Sequence, residues 1–475
     1  MIGVGTLGPC RPAAGWSGAG DTRAVRTREE QTGGGMRVRR GGSEDGPRRE
    51  ERRNGPGLAG TPGRTGASLA EERRSWVVLA TVEGVGDRTL ELLVLTHGSA
   101  TRVLELAAAG RLDRGLRDAD GEGSRTRTLP ARTQAGIREA ALAAPARLAA
   151  LADMRLWTLT LLDPDFPPRL RRIPDPPLVL FGRGDPALLH HPATVAIVGT
   201  RRPTPAGRVM AARAARGLAM AGVAVISGLA IGIDGAAHAA TAEADRPTLA
   251  VIGSGHARPG PRAHRALLDR ILGAGGAVVG ELPPAAHATR GTYPRRNRLI
   301  SGLADAVVVI EAPERSGALS TAHHALAQGI PLYVYAGGGT RAPWAGCRRL
   351  LSETSAEGFE TVDELLGALL ERDDAGPPVA TAATAETAVA APVAAPTSAR
   401  LGSLGAHERR VAGILARGPV SADSLVVQTG LAPGVVSGLL TMLQLRGLAT
   451  TLGPLNLPAG ELLAAGLDLS PGPGA

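Results

Sequence analysis

The chain has 475 residues, enough for two to four domains, and its 43% apolar content supports a core that must be aliphatic, since aromatics are only 2%. Formal net charge is +9, and with no lysine in the sequence all 53 basic residues are arginine, which favours a polyanionic partner gripped through planar, bidentate contacts. Two distant cysteines, Cys10 and Cys347, lack zinc-ligand spacing and argue against a disulfide framework, and no apolar run approaches the length of a membrane span, so a cytoplasmic protein without membrane or metal is expected.

Residues 1–70 are rich in Gly, Arg, Pro, Glu and Thr without apolar periodicity, and a disordered tail is expected there. Residues 71–150 carry a helical pattern. Within it Val82-Glu-Gly-Val-Gly86 followed by Thr89–Leu93 is compatible with a helix-hairpin-helix turn, which offers backbone N–H groups to phosphate, and equally with a small bundle containing a Gly turn. Residues 151–370 read as an extended Rossmann-like unit. A Pro-rich connector carries one strand, Leu178–Phe181, and nearly continuous apolar runs then alternate with helices. The expected strands are Val195–Val198, Val223–Ser227, Leu249–Ile252, Ala277–Val279, Ala306–Glu311 and Pro331–Tyr335. Strands buried on both faces and separated by helices predict a parallel, doubly wound α/β sheet. An Ala/Pro-rich linker is expected over 371–403, a winged helix over 404–460 and a loose tail over 461–475.

Ligands of such sheets bind at the carboxyl ends of the strands. Four loops should meet there. In Gly199-Thr200-Arg201-Arg202 arginines replace the glycine of a dinucleotide turn, with Thr204 as N-cap and Pro205 at N1 of the next helix. The second loop, Ser227–Asp234, places Asp234 as a helix N-cap. In the third, Arg295, Arg296, Asn297 and Arg298 enter a helix, with Arg295 and Arg298 on one face. Cations there oppose the helix dipole, and an anionic ligand would resolve the conflict. The fourth, starting at Ser316-Gly317, is another anion nest. No catalytic set, Walker motif or metal constellation is present, and the acid of a dinucleotide fingerprint is replaced by Ser227-Gly228.

Val198-Gly-Thr-Arg201, Ile226–His238, Pro294–Leu303 and Ser316–Ala322, in this order, resemble the signature segments of the DprA/Smf DNA-processing family. The resemblance implies an extended Rossmann fold that binds single-stranded DNA without catalysis and without a cofactor. It implies a homodimer that protects incoming DNA and loads RecA recombinase past single-strand-binding protein during natural transformation. The implied DNA pocket takes Arg201, Gly228, Arg296, Asn297, Arg298, Ser316 and Gly317, and with the flanking loop residues the candidate site is Gly199, Thr200, Arg201, Arg202, Ser227, Gly228, Arg295, Arg296, Asn297, Arg298, Ser316 and Gly317. Ile231 departs from the family's usual Arg, and Tyr293 is the best nearby aromatic for base stacking. The third winged-helix segment, Pro433–Arg446, is apolar and has one cation, which favours a protein contact over duplex reading. The rival class is a Rossmann-like nucleotide phosphoribohydrolase. Those enzymes carry a glutamate three residues after the fourth-loop threonine, where this chain has His324 after Thr321. A winged-helix regulator with a small-molecule sensor is a third class, disfavoured by the same apolar helix.

Overall fold

The computed structural model of the chain describes residues 68–118, 125–374 and 404–463. The expected N-terminal tail up to residue 67, the linker from 375 and the terminal tail from 464 lie outside them.

The first helices follow from local capping and apolar spacing. Helix α1 (Leu69–Ala80) opens on a capping box between Ser68 and Glu71. A turn with Gly84 at φ 86° leads into α2 (Asp87–His97), and Ser99 caps α3 (Ala100–Ala108). The carboxylate of Glu72, 1% exposed, accepts from the Ala100 and Thr101 amides and so ties α1 to the start of α3. An antiparallel ribbon of β1 (Gly115–Asp118) and β2 (Arg125–Thr128) interrupts the helical stretch; its Arg/Thr/Gly composition gave no apolar alternation to detect. Helices α4 (Ala131–Leu142) and α5 (Ala144–Asp153) follow.

The α/β body begins with β3 (Trp157–Thr160), α6 (Pro168–Arg171) and β4 (Val179–Gly184). It continues through β5 (Thr194–Val198), α7 (Pro205–Met220), β6 (Ala224–Ser227), α8 (Ile233–Glu243), β7 (Thr248–Val251), α9 (Arg265–Gly273) and β8 (Ala277–Gly280). Then come α10 (Thr292–Gly302), β9 (Ala306–Val309), α11 (Ala318–Ala327), β10 (Leu332–Tyr335), α12 (Ala345–Glu353), β11 (Glu357–Phe359) and α13 (Val362–Asp374). The sheet order is β11-β10-β9-β5-β6-β7-β8-β4-β3. Every neighbouring pair from β11 to β8 is parallel, whereas β4 runs antiparallel to β8 and β3 antiparallel to β4. The six Rossmann strands match the apolar runs within a residue or two. The sheet is mixed rather than wholly parallel, because the connector strand β4 joins its edge and β3, too short and half-polar to register as a strand, pairs outside it.

Strands β5, β6, β7, β8 and β9 are buried along their whole length. One face packs with α10 and α11, and the other receives α7, α8 and α13 through residues such as Leu218, Ile233 and Leu365. Each such aliphatic side chain contributes about 1.5–3 kcal/mol of transfer free energy, which a sheet this poor in aromatics must collect from many small residues. Chain order reverses beside β5, with β6 on one flank and β9 on the other. That reversal opens a crevice beyond the carboxyl ends of β5 and β9.

The winged helix comprises α14 (Ala406–Leu415), β12 (Val420–Ser421), α15 (Ala422–Thr429), α16 (Pro433–Leu445), β13 (Ala449–Leu452) and β14 (Leu455–Pro458) around its own core. Leu455, Leu457 and Leu463 instead join the core that holds Trp76, and Arg73 donates to Leu463 O at 2.7 Å. Leu462 is buried in the winged-helix core and Leu463 in the core with Trp76, although the loose tail is expected from residue 461. Among the described residues, no single helix is long and apolar enough to cross a membrane.

Candidate functional site

A cavity of about 1000 Å³ occupies the crevice at the strand reversal. Four loops build it. Gly199 ends β5 where a Cβ would stand 2.5 Å from Ile233 and 3.0 Å from Glu311 O, so only glycine lets the turn pass. The Thr200 amide donates to Glu311 O at 2.7 Å, which pins the turn to the end of β9 and projects Arg201 and Arg202 outward. Thr204 caps α7 by accepting from the Gly207 amide at 3.1 Å, with Pro205 in the first turn as the sequence predicts. Below it the buried Glu311 carboxylate accepts from the Thr204 amide at 3.0 Å and its hydroxyl at 2.8 Å.

The second loop is a support. Ser227 is fully buried and donates to Ile197 O at 2.6 Å, so it cannot meet a ligand, contrary to the expectation. Gly232, at φ 100°, occupies the N-cap of α8, and Asp234 stands inside the helix rather than capping it. The Asp234 carboxylate accepts from the Gly228 amide at 3.1 Å, and burial raises its pKa against the pull of Arg296. Arg296 is 4% exposed and donates to Gly228 O at 2.7 Å and to Val251 O, stapling together the ends of β6 and β7. Burial lowers its pKa to about 10 against Asp234, so it stays cationic at neutral pH. A Cβ on Gly228 would stand 2.7 Å from both side chains.

Helix α10 has two working faces. Tyr293, Arg296, Asn297 and Ile300, at i, i+3, i+4 and i+7, line the cavity. Arg295 and Arg298 face away. Arg298, with a side chain 5% exposed, pairs with Glu281 at 2.6 Å, Asp175 at 3.0 Å and Asp87 at 3.6 Å. Arg295 pairs with Asp87 at 2.9 Å and Glu281 at 3.5 Å. Both were expected to grip an anionic ligand. The chain's own carboxylates fill that role, which resolves the conflict between the cations and the helix dipole internally.

The fourth loop places Ser316 and Gly317 on the cavity wall, where the Asn297 side-chain Nδ2 donates to Gly317 O at 3.4 Å. Of the expected residues, Gly199, Thr200, Arg201, Arg202, Arg296, Asn297, Ser316 and Gly317 line the cavity. Gly228 lines a neighbouring pocket of about 320 Å³ that shares Arg201, Arg202 and Tyr293 with it. Ser227, Arg295 and Arg298 line neither. The sequence reading missed Arg290 and Arg315, which complete the rim. Their only signal was adjacency, one just before α10 and the other just before Ser316.

Arg201, Arg202, Arg290 and Arg315 are exposed, and none of them forms an ion pair with a carboxylate among the described residues. Arg201 lies over the Tyr293 ring at 5.1 Å. A cationic rim and an aromatic face suit a phosphate chain with unstacked bases. Among the described residues, no group of three His, Cys, Asp or Glu could hold a metal ion.

The fold and this edge together define an α/β protein with a cationic cavity rim and an appended winged helix. Residues 157–370 match the family model of DNA recombination-mediator protein A, and residues 392–453 that of the DprA winged helix domain. The chain is 34% identical over 229 residues to the DNA processing protein DprA of Bacillus subtilis, covering 48% of this chain and 76% of that one. It is 40% identical over 172 residues to protein Smf of Escherichia coli, covering 36% of this chain and 46% of that one. Among solved structures, DNA processing protein A of Streptococcus pneumoniae is similar at 28% identity and a TM-score of 0.46, covering 62% of this chain and 97% of that one. The Helicobacter pylori protein, described for its single-stranded DNA binding mode, is similar at 29% identity and a TM-score of 0.42, covering 46% of this chain and 97% of that one. The chain belongs to the DprA/Smf family of DNA-processing proteins.

Proposed function

We propose that this chain binds single-stranded DNA, without sequence preference and without catalysis, in the cavity beyond β5 and β9. The observation that carries the reading is the set of four exposed arginines, Arg201, Arg202, Arg290 and Arg315, that ring the cavity without carboxylate partners among the described residues. Guanidinium forks and loop amides contact phosphate, which every sequence shares. A flexible single strand can bend into the crevice and place a base on Tyr293, whereas a stiff duplex cannot. Both cavity carboxylates are already engaged, Glu311 by Thr204 and Asp234 by Gly228, which favours binding over the phosphoribohydrolase reading. Family membership supports a role as a recombination mediator, with a RecA-type recombinase and single-strand-binding protein as partners, a homodimer as the working form and the cytoplasm as its place.

The test is a titration of labelled single-stranded and duplex oligonucleotides at two salt concentrations. Preference for the single strand with a steep salt dependence supports the reading. Equal, salt-independent binding of both forms defeats it. Release of free base from nucleoside monophosphates would point to the hydrolase.

A further inference from the structure

We propose that Asp87, the first residue of α2, is a positioning residue for the nucleic-acid cavity, holding Arg295 and Arg298 on the back of α10 and so fixing the helix whose front presents Tyr293, Arg296 and Asn297. The inference rests on the cavity's being the single-strand site.

The geometry runs through one helix. The α1–α2 turn resembles a hairpin that would offer its amides to phosphate, but here it faces protein: a Cβ on Gly86 would lie 3.9 Å from Arg295. Asp87 puts a carboxylate in the first turn of α2, where the helix dipole favours an anion. One of its oxygens pairs with Arg295 at 2.9 Å and Arg298 at 3.6 Å, and the other accepts from the Leu178 amide at 3.4 Å. The N-terminal helices thus join the α/β body at the back of the same helix that walls the cavity. Arg295 and Arg298 flank the cavity-lining Arg296 and Asn297 along α10, so a shift of its back face moves its front.

The cluster's charged groups come from five elements. They are Asp87 of α2, Asp175 of the connector, Glu281 after β8, Arg295 and Arg298 of α10, and His324 of α11, whose pKa burial lowers first and Arg298 lowers further. Three carboxylates face two guanidiniums, an excess of one negative charge. Burial, and then repulsion from Glu281, push the Asp87 carboxyl up to about 7 against the pull of both arginines. The ion pairs of Asp87 with Arg295 and Arg298 therefore form only as it ionises near neutral pH and above, at a net cost to the fold that burial and Glu281 impose.

The experiment measures single-strand affinity of the full chain for a labelled oligothymidine as a function of pH and salt. Asp87→Asn imitates the protonated residue, so it is expected to match the wild type near pH 6 and to bind about 5-fold or more weakly near pH 8. Asp87→Glu restores the charge and should recover most of the affinity. Arg295→Gln, at a side chain 42% exposed and outside the cavity lining, offers a variant that disturbs the core less and should also bind more weakly near pH 8. Neither Asp87→Asn nor Arg295→Gln should alter the salt slope, because neither residue meets the strand. Equal or tighter binding by Asp87→Asn near pH 8, or a reduced salt slope in Arg295→Gln, overturns the proposal. If instead Arg201→Ala with Arg315→Ala leaves binding intact, the cavity itself is not the site, a result independent of the clasp.

Discussion

Removing two of the four rim arginines provides the most direct test of the site. Arg201 projects from the turn after β5 and Arg315 from the loop before α11, so Arg201→Ala with Arg315→Ala strips both walls of the cavity while leaving the buried Arg296 and its backbone partners intact. Each guanidinium that neutralises a phosphate adds about −0.7 to the slope of log affinity against log salt for a single strand, so four give about −2.8 and two about −1.4. Between about 50 and 200 mM salt, wild-type affinity should then fall about 50-fold and that of the double variant about 7-fold. The variant should also bind more weakly at low salt, where Arg201 no longer adds its contact over Tyr293. Fluorescence anisotropy with one labelled oligonucleotide reads both quantities, and thermal unfolding confirms that the fold is kept. An unchanged slope would refute the reasoning, because it would mean that the unpaired rim cations do not meet the strand.

Gly228→Ala should lower the unfolding midpoint by an overpacking cost of about 1–3 kcal/mol, since the new methyl meets Arg296 and Asp234 at 2.7 Å; a wild-type melt would disprove that contact. Arg298→Met should cost up to about 3–5 kcal/mol in denaturant titrations, because buried Glu281 keeps only the longer contact to Arg295 at 3.5 Å, and this cost should exceed that of Arg201→Ala several-fold. His256, held neutral by burial with a pKa lowered from 6.5 to about 4, contributes stability that is fully present above 6.5 and lost as pH falls through about 4. His256→Gln keeps a donor for Phe181 O and cannot charge, so its stability should vary less across that range, and a pH dependence identical to wild type would argue against the assignment. Tyr293→Ala should cost about 1–3 kcal/mol of single-strand affinity for the lost stacking face while Tyr293→Phe costs little, which competition binding can distinguish.

Local chemistry was legible in the sequence wherever the signal is short in range. Continuous runs such as Val195–Val198 and Ala306–Val309 announce strands buried on both faces, and the structure buries every residue of β5 and β9. Thr204-Pro205 reads as a helix start because hydroxyl caps and a first-turn proline act within one turn, and the structure agrees. The Ser316-Gly317 loop and the Arg201-Arg202 turn fall at strand ends for the same reason, and the sheet brings them to one cavity. The ribbon β1–β2 was not legible, since it carries no apolar alternation, and β3 alternates Trp157-Thr158-Leu159-Thr160 over only four residues, too few to stand out.

The fate of each arginine was decided only by tertiary structure. A row such as Arg295-Arg296-Asn297-Arg298 shows charge and spacing but not which partner each side chain finds. Arg295 meets Asp87 from 208 positions earlier, and Arg298 meets Asp175 from 123 positions earlier, which turns two expected phosphate ligands into an internal clasp. The same folding brings Arg290 and Arg315 to the rim, although no local pattern marked them. Caps, turns and periodicity act between near neighbours and are written in the chain, whereas charge pairing depends on distance in space, which only the assembled sheet and its flanking helices set.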